Sequence, residues 1–261
     1  MVSFLSLISG SSGNAAFVSD GSTSILIDCG MSGRRLKASL ESINVLPEDL
    51  DAILITHEHS DHIQGTGILS RRYNLPIYAT NGTAASMDVG KIGDGNLRII
   101  SADRDFQIGT IGILPFTIPH DAAEPVGYNL FIGSKKCTLA TDMGHIDSYI
   151  MDHLKGSSML ILESNHDVDM LKNGSYPYHL KRRILGVNGH LSNSSAADAI
   201  PELVESGTEH IMLGHLSREN NLPEIAMLTA RNALHDRGIR EGQDVTLAVA
   251  GRSSVTRFAG V

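Results

Sequence analysis

Hydrophobic residues between positions 3 and 28 fall into three short runs, 3–8, 15–18 and 24–28, parted by Gly-Ser-Ser-Gly-Asn and Asp-Gly. Runs of that length broken by turn-forming residues predict a β-meander. Helical spacing follows over 34–43. The run inside 51–56 is apolar without interruption and bounded on both sides, which predicts a buried strand. Beyond it the pattern predicts helices near 63–73 and 83–89 and short strands at 77–79 and 97–101. Further strands are predicted at 111–118, 126–132, 136–140 and 159–162. From Tyr178 onward helices at 196–205 and 222–235 alternate with strands at 210–213 and 245–250. This order predicts an α/β chain of mixed sheets flanked by helices.

Length and composition narrow the picture. A chain of 261 residues, 41% hydrophobic and 19% charged, is expected to fold as one domain over 1–261. Its first residues lack the basic start, long apolar stretch and cleavage site of a secretory signal, and no apolar run is long enough to span a bilayer. A cytoplasmic protein with no membrane partner is expected. Cys29 and Cys137 adjoin strand-like sequence without metal-type spacing, so both read as reduced and structural. The formal net charge of -8 argues against a general nucleic-acid-coating protein. Basic residues still cluster locally at Arg34-Arg35, Arg71-Arg72 and Lys181-Arg182-Arg183, which leaves room for a basic groove.

One segment concentrates chemistry. Thr56-His-Glu-His-Ser-Asp-His62 sets three imidazoles and a carboxylate behind the predicted strand at 51–56. In an extended chain His57, His59 and Asp61 fall on one side and His62 elsewhere, an arrangement that serves two neighbouring metals. Nitrogen and oxygen donors together suit zinc, manganese or iron, and the lack of a nearby cysteine argues against a structural zinc finger. Gly-His-Leu-Ser occurs twice, at 189–192 and 214–217, in different surroundings, so His190 and His215 have separate jobs.

The His-x-His-x-Asp-His pattern after a buried strand resembles the metallo-β-lactamase superfamily, whose fold is a four-layer αββα sandwich. That resemblance implies the remaining ligands. His120 in Thr-Ile-Pro-His, Asp142 in Leu-Ala-Thr-Asp and His215 in Leu-Gly-His-Leu-Ser match its later motifs. One divalent ion would take His57, His59 and His120, the other Asp61, His62 and His215, with Asp142 shared. Similarity to ribonuclease Z-like enzymes implies that His190, positioned by Glu163, protonates the leaving group, while Asp61 also orients the attacking water. Gly10-Ser-Ser-Gly-Asn-Ala15, Leu162-Glu-Ser-Asn-His-Asp167 and Gly174-Ser-Tyr-Pro-Tyr-His-Leu-Lys181 resemble the bacterial YycJ (WalJ) family more closely still.

Membership there implies 5′ to 3′ exonuclease action on duplex DNA, two divalent ions with manganese activating and zinc or iron as other occupants, and a part in DNA repair. Lys181, Arg182, Arg183, Ser192 and Ser217 are the candidate contacts to substrate phosphates. A second reading is a small-molecule hydrolase acting on a cyclic nucleotide, phosphodiester or lactone; a third is a regulatory binding module. A basic groove of duplex width would favour the first and a closed apolar pocket the second. Oligomeric state is left open, since no heptad or apolar stripe stands out.

Overall fold

The three N-terminal runs form β1 (Ser3–Ile8), β2 (Ala15–Ser19) and β3 (Ser24–Ile27) of the computed structural model, which describes residues 2–258. They pair antiparallel, and β4 (Ala52–Leu54), β5 (Ile77–Thr80) and β6 (Leu97–Ile100) then add in parallel. The second sheet repeats the scheme. Its strands β7 (Phe106–Ile108), β8 (Ile111–Thr117), β9 (Val126–Ile132) and β10 (Lys135–Ala140) are antiparallel. From β10 the strands β11 (Met159–Glu163), β12 (His210–Gly214) and β13 (Thr246–Val249) run parallel. A final short strand, β14 (Thr256–Arg257), returns to pair with β1, so each sheet has seven strands.

Side chains alternate across each strand, and the alternation builds the layers. Ile25 and Ile27 of β3, with Ala52 and Leu54 of β4, meet Met159 and Ile161 of β11 and Met212 of β12 between the sheets. Leu26 and Ile53 point the other way, onto Leu36 and Leu40 of helix Gly33–Glu41 and Leu69 of helix Thr66–Tyr73. Leu160, Leu162, Ile211 and Leu213 likewise face out onto helices Ser148–Leu154, Asn193–Glu205 and Pro223–Asp236. The layers are therefore helix, sheet, sheet, helix. Strands covered on both faces read as unbroken apolar runs, which is why the inner parallel strands stood out in the sequence.

Several elements differ from the expected pattern. The helix foreseen at 63–73 is two pieces, Ser60–Ile63 and Thr66–Tyr73. Strands β7 and β14 were not foreseen, because three and two residues are too few to show a period. Helices Ser148–Leu154 and Val168–Asn173 were also missed, though each has an aspartate cap: Asp147 accepts from Ile150 N at 2.9 Å and Asp167 from Met170 N at 2.8 Å. Cys29 and Cys137 are buried and unpaired, and burial pushes the Cys137 thiol up to about 12. No helix among the described residues is long and apolar enough to cross a membrane.

The parallel strands of both sheets deliver their carboxyl ends to one rim. There the chain leaves β3 at Asp28, β4 towards His57, β10 at Asp142, β11 at Glu163 and β12 at His215. Such ends are where α/β sheets gather ligand-binding groups.

Candidate metal centre

After β4 the chain bends at Thr56 and reaches His59, whose extended backbone opens the helical turn Ser60–Ile63; His62 N donates to His59 O at 2.9 Å. This corrects the expectation that Asp61 lies beside His57 and His59 on one extended edge with His62 turned away. The helical turn makes Asp61 and His62 neighbours at the same centre. His62 Nε2 stands 3.7 Å from Asp61 Oδ2 and 3.4 Å from Asp142 Oδ2.

Asp28 fixes that turn from beneath. Buried and left-handed at φ 60°, it accepts from Thr56 N at 2.9 Å, Thr56 Oγ1 at 2.8 Å and His62 Nδ1 at 2.8 Å. A carboxylate only accepts, so a His62 proton sits on Nδ1, and Nε2 is the nitrogen left to face the centre. His120 is aimed in the same way, with Nδ1 bonded to Gly189 O at 3.2 Å and Nε2 turned to His59 Nδ1 at 3.3 Å. His57 Nε2 lies 3.1 Å from the same His59 nitrogen.

The ligand atoms of His57, His59 and His120 all lie within 4.8 Å of one another, as do those of Asp61, His62 and His215. Asp142 meets that limit with His57 and His62, and separately with His190, His215 and Glu163. All seven side chains named as candidate ligands thus converge. The atoms also fit divalent ions: Asp142 Oδ2 and His215 Nε2 are buried with no hydrogen-bond partner. An orphaned buried acceptor is costly unless a cation takes it.

Charge points the same way. Burial alone would depress the His62 imidazole, yet the Asp142 and Asp28 carboxylates outweigh it and lift it to about 9. His215 is lifted for the same reason, burial being overcome by Asp142, Asp61 and Glu163. His57 and His120 go down, chiefly through burial. Without metal the carboxylates hold protons on two imidazoles, and a cation would replace those protons.

Glu163, fully buried at the end of β11, serves two histidines with one oxygen. Its Oε1 accepts from His190 Nδ1 at 2.8 Å and from His215 Nδ1 at 2.9 Å, while Oε2 accepts from Met143 N at 2.7 Å and Leu191 N at 3.2 Å. Burial would raise its pKa, but the His190 and His215 contacts hold it below the usual carboxylate range.

Residues 23–216 match the family described as the Beta-lactamase superfamily domain, a span that opens at β3 and closes just after His215. The chain belongs to the beta-lactamase superfamily. Within it, the chain is 40% identical to the exodeoxyribonuclease WalJ of Streptococcus pneumoniae serotype 2 over 91% of its length and 90% of the relative's. It is 38% identical to the exodeoxyribonuclease YycJ of Bacillus anthracis, covering 92% of each chain. Among solved structures it resembles the metallo-beta-lactamase fold protein YhfI of Bacillus subtilis, with a TM-score of 0.73, 18% identity and coverage of 98% and 99%.

In this beta-lactamase superfamily chain the donors open onto a cleft of about 230 Å³ lined by His59, Asp61, Asp142, His190 and His215, with Tyr176 and Arg183 on its wall. A wider trough of about 620 Å³ continues from it, sharing Ser11 and Asp61 and passing Glu58 and Asp88. The cleft is open and polar, neither a closed apolar pocket nor a broadly basic groove.

The five candidate substrate contacts divide. Arg183 and Ser217 line the cleft, with Arg183 paired to Asp121. Lys181 is engaged elsewhere: its ammonium donates to Lys172 O at 2.8 Å and Gly174 O at 2.7 Å, capping helix Val168–Asn173. Ser192 is the amino-terminal cap of helix Asn193–Glu205, accepting from Ser195 N at 3.1 Å. Arg182 lies over the Tyr178 ring.

Sequence reasoning missed Asp28, Asn14, whose Nδ2 lies 2.9 Å from His62 Nε2, and Tyr176. Asp28 did leave a signal, an aspartate closing an apolar run in Ile-Leu-Ile-Asp-Cys-Gly.

Proposed function

We propose that this protein is a divalent-metal-dependent hydrolase of phosphodiesters, an exodeoxyribonuclease that removes nucleotides from the 5′ end of duplex DNA. The observation that carries it is the convergence of seven side chains with nitrogen and oxygen ligand atoms, two of those atoms buried without a hydrogen-bond partner, beside the His190–Glu163 pair in an open polar cleft. The names of the WalJ and YycJ relatives supply the substrate class.

In this reading His57, His59 and His120 would hold one ion and Asp61, His62 and His215 the other, with Asp142 available to both. Two such ions would acidify a water and neutralise charge gathering on the phosphate oxygens. Manganese, zinc and iron all suit the donor set. The protein's own groups do the rest. Asp61, partly open to the cleft, orients the attacking water and accepts its proton. His190 gives a proton from Nε2 to the departing oxygen, because Glu163 fixes the other proton on Nδ1. Arg183 faces the phosphate backbone from the cleft wall.

The test is degradation of 5′-phosphorylated duplex DNA with manganese, labelled at either strand terminus, by wild-type protein and Asp61→Ala. Progressive loss from the 5′ end by the wild type alone is expected. An intact duplex, with bound metal verified by elemental analysis, would overturn the nuclease reading. The acidic trough at Glu58 and Asp88 favours a second reading, hydrolysis of a small phosphodiester or lactone. That reading predicts turnover of small esters by a protein inert on DNA.

A further inference from the structure

The two groups of donors are supported from different parts of the chain. His57 and His120 are aimed from within residues 23–216, with Thr56 Oγ1 3.0 Å from His57 Nδ1 and Gly189 O 3.2 Å from His120 Nδ1. Asp61, His62 and His215 receive further contacts from Ser9, Asn14 and Arg252, all outside that span. Asn14 ends the turn that joins β1 to β2. Its N–H donates to Asp61 O at 2.8 Å, and its Nδ2 donates to Asp61 Oδ2 at 3.3 Å and stands 2.9 Å from His62 Nε2. Its Oδ1 accepts from Gly10 N at 2.9 Å, which fixes the amide's orientation. The backbones approach so closely here that a Cβ on Gly30 would overlap both Asp61 O and Asn14 N.

Ser9 does for His215 what Asn14 does for Asp61. Its buried Oγ accepts from His215 N at 2.7 Å, at the left-handed exit from β12. Arg252, beyond β13, donates from Nη2 to Ser217 O at 2.6 Å and to Asn221 O at 3.3 Å, clamping the segment behind His215. The two ends of the chain also hold each other: Ser9 N donates to Gly251 O at 3.1 Å, and β14 pairs with β1. We infer that Ser9, Asn14 and Arg252 are positioning residues for one half of the centre, a brace that sets the Asp61, His62 and His215 group and not the His57, His59 and His120 group. Their hydrogen bonds go to the first group or to the segment carrying it. Hydrogen bonds behind a ligand hold it in the orientation that a cation needs. The brace therefore makes the affinity of one ion adjustable without disturbing the other. The inference rests on the two-ion reading above and is independent of the substrate.

The test is calorimetric titration of the metal-free protein with manganese alone. Wild type gives two binding events, and His59→Ala and His215→Ala identify them by the event each one abolishes. Ser9→Ala and Asn14→Ala weaken the event that His215→Ala abolishes by about 10–100-fold and leave the other within about three-fold. Arg252→Ala weakens the same event, and Arg252→Lys, which keeps a cationic N–H donor, restores it. Arg252 is only half-buried, so this pair keeps the fold and carries the test if Ser9→Ala does not fold. Variants that weaken both events alike, or neither, overturn the brace and leave the two-ion reading standing. A wild type with a single event overturns both.

Discussion

Replacing Glu163 with glutamine keeps the side chain's size and removes one property, the ability to accept on both oxygens. Oε1 now receives two imidazole N–H groups and Oε2 two backbone N–H groups. An amide has one oxygen and one NH2, so in either orientation two donors confront a donor. If the NH2 faces Met143 and Leu191, two buried backbone N–H groups lose their acceptor, at about 1–3 kcal/mol each, or about 2–6 kcal/mol together. If it faces the histidines, both must move their proton from Nδ1 to Nε2. His215 then loses the lone pair it would offer a metal, and His190 is no longer held for proton donation. Losing an outer partner of this kind weakens metal affinity by about 10–100-fold, and losing a general acid slows turnover by about 10²–10⁴-fold. Metal titration by calorimetry and kcat measured at saturating metal separate the two effects. The depressed Glu163 pKa also sets a sign: its stabilising contribution is present above the unfolded carboxylate value and is lost as pH falls towards the folded one. Glu163→Gln should therefore flatten the loss of stability on acidification. A variant that binds metal normally and turns over within about three-fold of wild type would refute this account of Glu163.

Asp28→Asn keeps the left-handed backbone, which asparagine tolerates, and removes the charge beside His62 Nδ1; metal affinity should fall about ten-fold in chelator competition, and an unchanged value would sink the aiming role given to Asp28. His190→Ala should retain its full complement of metal by elemental analysis while kcat falls about 10²–10⁴-fold, and loss of metal would mean that His190 is a ligand rather than a proton donor. Cys29 and Cys137 are buried with thiols pushed up by burial; a thiol reagent should titrate neither in the native protein and both after denaturation, and rapid native labelling would contradict the packing.

The donor residues were legible because their chemistry is concentrated in short motifs, while their aim was not. Whether His62 faces the centre depends on a hydrogen bond to Asp28 from 34 residues away, and no local spacing encodes that. The same limit explains Lys181 and Ser192. Both stand among plausible phosphate contacts in the sequence, yet each is taken by a nearby helix end, one by bare carbonyls and the other by bare amides. The sandwich was legible for the opposite reason: β3, β4, β11 and β12 are covered on both faces, so burial alone imposes their pattern. β7 and β14 gain their strand character from a neighbour rather than from their own residues.

Asp28, Asp142 and His215 share a conformation that ties the fold to the site. Each follows the end of a strand, β3, β10 or β12, and each has a positive φ, at 60°, 62° and 55°. For a residue with a side chain that conformation costs about 1–2 kcal/mol, and glycine would remove the cost. Glycine would also remove the donor. A left-handed residue turns the chain sharply off its strand, so the side chain is placed at the rim while the backbone departs into the next loop. The two sheets use this same exit from opposite sides, Asp28 supporting His62 in the first and Asp142 and His215 facing it from the second. Packing between the sheets holds the strand ends, and with them the spacing of the donors, before any ion arrives. Strain at these three positions is thus the local counterpart of preorganisation at the centre.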